Sequence, residues 1–421
     1  MDQGNTAFVL LSAGLVLLMT PGLAFFYGGM VKAKSVVSMM MLSWGSLGLV
    51  GVLWVLYGYS ISFARSSSET FIGIPGWFGI DPASFGLAKE TAAALTTIDS
   101  SYPSLAFVAF QATFAIITVA LISGAIADRA KFGAWMVFAG VWATLVYFPV
   151  ANWVFNFGSN ADRSDGGWLV QLGVIDFAGG TAVHINAGAA GLALALVLGK
   201  RFGFSKGITQ PHNVPLTLLG VALLWFGWFG FNAGSELAAD GIASIAFINT
   251  LAAPAAAMLG WVMVEKIRHG KATSIGAGSG AVAGLVAITP ACAILDPIWG
   301  IVLGLVSGAL CALAIDLKFA LGFDDSLDVV GIHLVGGIVG TLFIGVFGRG
   351  VGFAFGNDFS QLYKQAVGAG VVLVYSFVLA FIIGWVIEKA LGFRVKAEDE
   401  IAGIDTVVHG EEAYAFGNDR V

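Results

Sequence analysis

Apolar residues run along this chain in long stretches, broken by short segments that gather nearly all of its charge. A bilayer core of about 30 Å takes about 20 residues of helix. On that ruler the sequence predicts about eleven spans, near 6–30, 36–63, 103–127, 133–155, 178–198, 214–234, 243–264, 273–293, 297–316, 329–347 and 366–389. The first apolar run, Ala7 to Tyr27, is too long for the core of a secretion signal, and no basic segment precedes it. It is therefore read as a retained span.

The breaks between spans alternate in charge. Lys32 and Lys34 follow the first span, Arg129 and Lys131 the third, Lys200, Arg201 and Lys206 the fifth, and Lys266, Arg268 and Lys271 the seventh. The intervening loops carry Glu69, Asp81, Glu90, Asp99, Asp162, Asp165, Glu236 and Asp240. An excess of Lys and Arg marks the cytoplasmic side, which places the N-terminus outside and, for an odd number of spans, the C-terminus inside. Two inverted five-helix repeats plus a final helix would satisfy that count.

Composition agrees with the pattern. The 421 residues are 58% hydrophobic and 11% charged, against about 25% charged in soluble proteins, and the mean hydropathy is +0.88. The expected fold class is an all-α polytopic membrane protein. A net charge of -6 with no basic stripe gives no reason to expect nucleic acid as a partner. Cys292 and Cys311 lie in predicted spans without the spacing of a disulfide framework or a metal site, and they are read as packing residues. Two series of glycines, Gly276, Gly280 and Gly284, then Gly300, Gly304 and Gly308, form small-residue ridges for close helix packing.

One pattern occurs twice. Asp176 precedes His184 by eight residues, with Gly188 and Gly191 beyond it, and Asp325 precedes His333 in the same way, with Gly337 and Gly340 beyond. Ionisable groups inside membrane spans are costly and mark pathways for ions, protons or polar solutes, and related halves are a habit of transport folds. Eight residues of helix set His184 about 12 Å deeper than Asp176. A neutral imidazole offers one donor and one acceptor, so a facing pair suits a small neutral hydrogen-bonding molecule or a transient proton relay. A potassium filter would need rings of carbonyl oxygens instead. Asp176 can cap free N–H groups or act electrostatically on a cation, and both readings stay open; Asp325 is read as a cytoplasmic cap.

Several blocks resemble a known family. Asp176-Phe-Ala-Gly-Gly, running through Val183-His-Ile-Asn-Ala-Gly188 to Gly199-Lys-Arg201, closely resembles the signature of ammonium transporters, the Amt branch of the Amt/Rh family. Pro21 to Gly29, Phe110-Gln-Ala-Thr-Phe-Ala115, Leu224 to Ser235, Gly280 to Pro290 and the His333 segment resemble further landmarks, in family order. The resemblance implies a homotrimer with one pore per subunit. It implies that His184 and His333 line the pore, that Phe110 and Phe231 are the stacked rings of an outer gate, and that Ser235, Phe155 and Asp176 serve ammonium recruitment. Aromatic faces attract a cation, and a hydroxyl replaces part of its hydration. Where the family reads Ala-His-x-Val-Trp, this chain has Ala151-Asn-Trp-Val-Phe155 and a polar loop, Asn160 to Asp165, that is longer than usual. Phe155 offers a weaker cation–π face than tryptophan, and Trp153 compensates only if its ring points inward.

The resemblance extends into the tail. Residues 1–390 are read as the transmembrane ammonium-transporter domain and 391–421 as a cytoplasmic regulatory tail carrying Gly403, Asp405, His409 and Tyr414. It implies contact of that tail with a neighbouring subunit and a PII-type signalling protein as a possible partner. The expected function is ammonium transport in the cell (inner) membrane: ammonium is recruited outside, deprotonated near the phenyl gate and passed as ammonia, with or without a coupled proton, because dehydrating the cation costs far more. The alternative is a membrane ammonium sensor signalling through the tail. No cofactor is expected. No nucleophile with a paired base and no metal cluster suggests an enzyme, and no Asn-Pro-Ala pair suggests an aquaporin-like pore.

Overall fold

The computed structural model describes residues 1–63, 72–74, 77–96, 101–158, 163–204 and 210–414. Glu69, Asp99, Asp162 and Lys206, used above to orient the loops, and Asn160 to 162 of the polar loop lie outside the described residues. Among the described residues, ten helices are long and apolar enough to cross a membrane. They are α1 (Gln3–Met30), α2 (Val36–Phe63), α3 (Ser104–Ile126), α4 (Phe132–Phe155), α5 (Gly180–Leu198), α6 (Val214–Glu236) and α7 (Gly241–His269), then, after one shorter helix, α9 (Pro297–Leu321), α10 (Val330–Phe347) and α11 (Ser360–Ala390). The shorter helix, α8 (Ser274–Ile288), occupies the position of the predicted span 273–293. It stops early because Pro290 has no N–H to continue the hydrogen-bond ladder beyond Thr289, whose own backbone is still helical. The chain is a multi-pass membrane protein.

The helices are apolar on nearly every side, as expected of elements that face either each other or lipid. Leu259, Met263 and Ile267 of α7 and Val378, Ile382 and Trp385 of α11 are exposed apolar residues on the outer surface. Inside, polar atoms of large side chains find backbone partners: Tyr27 Oη donates to the Leu121 carbonyl at 3.0 Å, and Trp54 Nε1 to that of Val108 at 3.1 Å.

Both predicted glycine ridges pack against one helix, α7. A methyl added at Gly284 would fall 2.5 Å from Ala257 Cβ, and one at Gly300 2.7 Å from Asn249 Oδ1. One departure from an all-helical chain is a small antiparallel hairpin, β1 (Ile72–Ile74) with β2 (Phe78–Ile80), between α2 and α3.

Candidate functional site

The two histidines meet because two helices begin in the same way. Each starts with a wider π-helical turn, Gly180–Ile185 in α5 and Val330–Leu334 in α10, and each of these turns holds its histidine. Such turns are rare and concentrate at functional sites. The carboxylate of Asp176 accepts hydrogen bonds from the amides of Gly179, Gly180, Thr181 and Ala182 and from the Thr181 hydroxyl, at 2.5–3.2 Å. That spends its oxygens on the helix start, which is the capping reading of Asp176. Asp325 caps α10 through the amides of Val329 and Val330, at 3.1 and 2.7 Å.

His184 Nδ1 and His333 Nδ1 lie 3.2 Å apart, with ring centroids 5.3 Å apart at 21°. Both side chains are buried. The crossing is close because each motif glycine, four residues after its histidine, receives the other copy. A methyl at Gly188 would sit 2.5 Å from the Leu334 amide nitrogen, and one at Gly337 would sit 3.2 Å from His184 Cβ.

Beside the pair is an apolar cavity of about 10 Å³, measured as space for the centre of a water-sized molecule; Leu23, Val183, Trp228 and Phe231 are among its walls. That is about the room one water needs. The Phe231 ring lies 6.2 Å from the His184 ring, and the Phe114 ring stacks on Phe231 at 4.1 Å and 21°. The stack expected between Phe110 and Phe231 is therefore corrected: Phe114 makes it. Phe110 lies one helical turn earlier on the same face of α3 and meets Phe114 edge-on at 4.8 Å.

Phe155 meets Phe114 edge-on at 6.1 Å, so it stands beside the stack. Trp153 faces away from it: its Nε1 donates to the Trp77 carbonyl at 2.6 Å, and its ring packs on Trp77, Trp168 and Tyr375. Ser235 is half-buried at the end of α6 and donates to the Phe231 carbonyl at 2.7 Å. Its neighbour Gly234 leaves room for the edge of Phe110, whose Cε2 would be 3.0 Å from a methyl there. Beyond Phe155 opens a second cavity of about 570 Å³, walled by Phe63, Phe107 and Leu237 among others.

The Ammonium Transporter Family matches residues 7–414, nearly the whole chain. The chain belongs to the ammonium transporter family. An ammonium transporter of Mycobacterium tuberculosis is 53% identical over 434 residues, covering 99% of this chain and 91% of the relative. A solved structure described as a sensor Amt protein matches with TM-score 0.87 and 28% identity, covering 96% of this chain and 98% of the other. Saccharomyces cerevisiae Mep2 matches with TM-score 0.83 and 32% identity, covering 94% and 91%.

At the opposite end of the transporter the tail docks on its own chain. A short helix, α12 (Ala397–Ala402), ends at Gly403, whose φ of +122° favours glycine. A methyl there would meet Lys34 Cβ at 2.7 Å. Asp405 then accepts from the amides of Val37 and Ser38, at 3.0 and 2.7 Å, and so caps α2. The His409 ring meets Phe132 edge-on at 5.6 Å. Tyr414 Oη lies 2.9 Å from His212 Nε2, and His212 Nδ1 lies 2.8 Å from the Val31 carbonyl oxygen.

Sequence reasoning missed the charges beneath this tail. Arg129 is fully buried; it donates to Ser326 Oγ and to the carbonyls of Ala125 and Asp324, at 2.5–3.0 Å. Arg201 forks onto the Asp324 carboxylate at 2.9 Å. Burial pushes the Asp324 carboxyl up, but the hydrogen bonds from Arg201 and the charges of Arg129 and Arg201 outweigh it and hold it below the usual carboxylate range. Glu400 accepts from the Phe202 amide at 2.6 Å and from Arg394 at 2.9 Å, which ties the tail to the end of α5. Arg129 and Arg201 were visible only as loop charges, because their partners lie far along the sequence.

Proposed function

We propose that this ammonium transporter recruits ammonium at the Ser235 end, passes its proton near the Phe114–Phe231 stack to water of the outer mouth or to the His184–His333 pair, and conducts ammonia past His184 and His333. The observation that carries the reading is the 3.2 Å contact between the two Nδ1 atoms beside a cavity of single-molecule size. Across such a contact one Nδ1 donates and the other accepts. In the neutral pair the first imidazole then has a bare Nε2 and the second an Nε2–H. The pair thus presents an acceptor and a donor, the set a neutral ammonia molecule matches. His184 Nε2 has no hydrogen-bond partner among the described residues and is free for that role. A bare ammonium ion would leave its hydration behind at a far greater cost than ammonia does.

In this reading Phe114 replaces Phe110 as the gate partner of Phe231. Phe110, Phe155 and Ser235 form the recruitment site, and Asp176 acts by holding the start of α5. Counting α8 as a span gives eleven transmembrane helices. These form two inverted five-helix repeats plus α11, with the N-terminus outside and the tail inside. The matched starts of α5 and α10 support that symmetry. The chain works in nitrogen uptake as a homotrimer, residues 391–421 regulate it, and a PII-type signalling protein is a candidate ligand of the tail face. The likeness to a sensor Amt protein favours a second reading, a membrane ammonium sensor signalling through the tail.

The test is the response of proteoliposomes to an ammonium jump, with current and lumenal pH recorded together. Ammonium-dependent current or alkalinisation above protein-free liposomes is expected, with a drop of tenfold or more, or lost ammonium selectivity, in His184→Ala. Unchanged transport and selectivity in that variant sinks the twin-histidine pore. Binding without transport in the wild type points to the sensor.

A further inference from the structure

The cavity beyond Phe155 contains a carboxylate with an unexplained oxygen. Glu90 is 6% exposed and lines this cavity. Its Oε1 accepts from Ser84 Oγ at 2.7 Å, whereas its Oε2 has no hydrogen-bond partner among the described residues. The nearby lysine is committed elsewhere, since Lys89 Nζ pairs with Asp81 Oδ2 at 2.8 Å. A buried, half-satisfied carboxylate is costly unless something positive or strongly hydrogen-bonding completes it.

The other walls say what would complete it. The rings of Phe63 and Phe107 pack edge-to-face at 4.9 Å on the same cavity, and Phe155 lines it next to Phe114. A divalent ion would want six or more oxygen ligands. Asp81, Lys89, Tyr102 and Asp165 share these walls with the rings, and the buried Glu90 Oε2 acts on an occupant through its charge rather than by direct contact, which suits a weakly hydrated monovalent cation that tolerates a ring face. We propose that Glu90 and these rings form an outer subsite for ammonium or a small alkylammonium, which holds the cation before it reaches Ser235 and Phe155.

The proposal rests on the transport reading for its purpose, but binding can be tested separately. Methylammonium binding to the solubilised full-length protein is measured by calorimetry, and ammonium transport in proteoliposomes, for the wild type, Glu90→Gln and Glu90→Asp. Glu90→Gln is expected to weaken methylammonium binding and raise the KM for ammonium about three- to tenfold, as removal of one partly screened charge near the cation should do. The kcat stays as in the wild type, Glu90→Asp stays close to the wild type in both assays, and the gap closes as sodium chloride is added. Unchanged affinity in Glu90→Gln overturns the subsite. So does a fall in kcat with KM unchanged, which a purely structural carboxylate would give. A wild-type protein that binds methylammonium through Glu90 but moves no ammonium overturns the transport reading and leaves the subsite standing.

Discussion

Asp176 and Asp325 open the same spacing towards His184 and His333, yet the two copies end in different surroundings. In the first, the residue three places on is Gly179, with φ +118°, and in the second it is Asp328, with φ +63°, so both helices start from a left-handed residue. Five places on, the first copy has Thr181, whose hydroxyl adds to the Asp176 cap, and the second has Val330, which offers only its amide. The first copy lies towards the aromatic end, near Phe155. The second is tied by charge, because Lys318 Nζ donates to Asp328 Oδ1 at 2.5 Å and to the Asp325 carbonyl at 3.2 Å. The shared residues thus set the crossing of α5 and α10, and the unshared ones give each copy different surroundings.

The comparison breaks most visibly at the caps. Asp176→Ala strands five donors in a buried turn, while Asp325→Ala strands two amides. Loss of the first should cost about 4 kcal/mol, since several charge-assisted bonds go at once, and loss of the second about 1–2 kcal/mol, as for an ordinary cap. Thermal unfolding in detergent checks the order. Equal losses would mean that the three extra bonds of the first copy, from the Gly179 and Ala182 amides and the Thr181 hydroxyl, add nothing.

The charged end has its own signature in pH. Asp324 is held below the usual carboxylate range by Arg201 and Arg129, so its stabilisation is complete above the unfolded value, about 3.9, and is lost as pH falls through the lower folded value. Asp324→Asn should therefore cost about 3 kcal/mol at pH 7, as breaking a buried pair does, and progressively less on acidification below pH 4. A pH-independent Asp324→Asn penalty would show that the carboxylate's charge is not what holds Arg201.

Much of this architecture was legible because hydropathy and length act locally. Each predicted span has a helix at its position, and the larger differences arise where a local rule changes. Pro290 ends α8 early, and the polar turn Ser360 to Gln365 is helical although it reads as a loop. The doubled Asp–His spacing gave the two histidines and their caps. Phe114 was within sight, four residues after Phe110 and on the same helical face, but spacing alone cannot say which of two such rings stacks on Phe231. Glu90 and Asp324 were only two acids in loops. Glu90 is bonded within its own segment, to Ser84, but its burial is not written in that segment, and Asp324 pairs with Arg201 more than a hundred residues away, which no local pattern encodes.

The finest test of the comparison is the glycine that each copy places four residues after its histidine. A methyl at Gly188 would press on the Leu334 backbone nitrogen at 2.5 Å, an atom fixed in the π-turn of the other copy. At Gly337 the nearest atoms would be the Gly180 carbonyl oxygen and Ile185 Cγ1, at 3.0 Å, and His184 Cβ at 3.2 Å, so shifts of a few tenths of an ångström relieve it. Gly188→Ala should therefore cost about 2 kcal/mol of overpacking and, by parting the Nδ1 atoms, reduce ammonium transport severalfold. Gly337→Ala should cost less than about 1 kcal/mol and leave most of the transport rate. Melting temperature and uptake measured on the two variants together decide the matter: if Gly337→Ala is the more damaging, the two histidine turns do not share the crossing in the way the first copy's tighter contact requires.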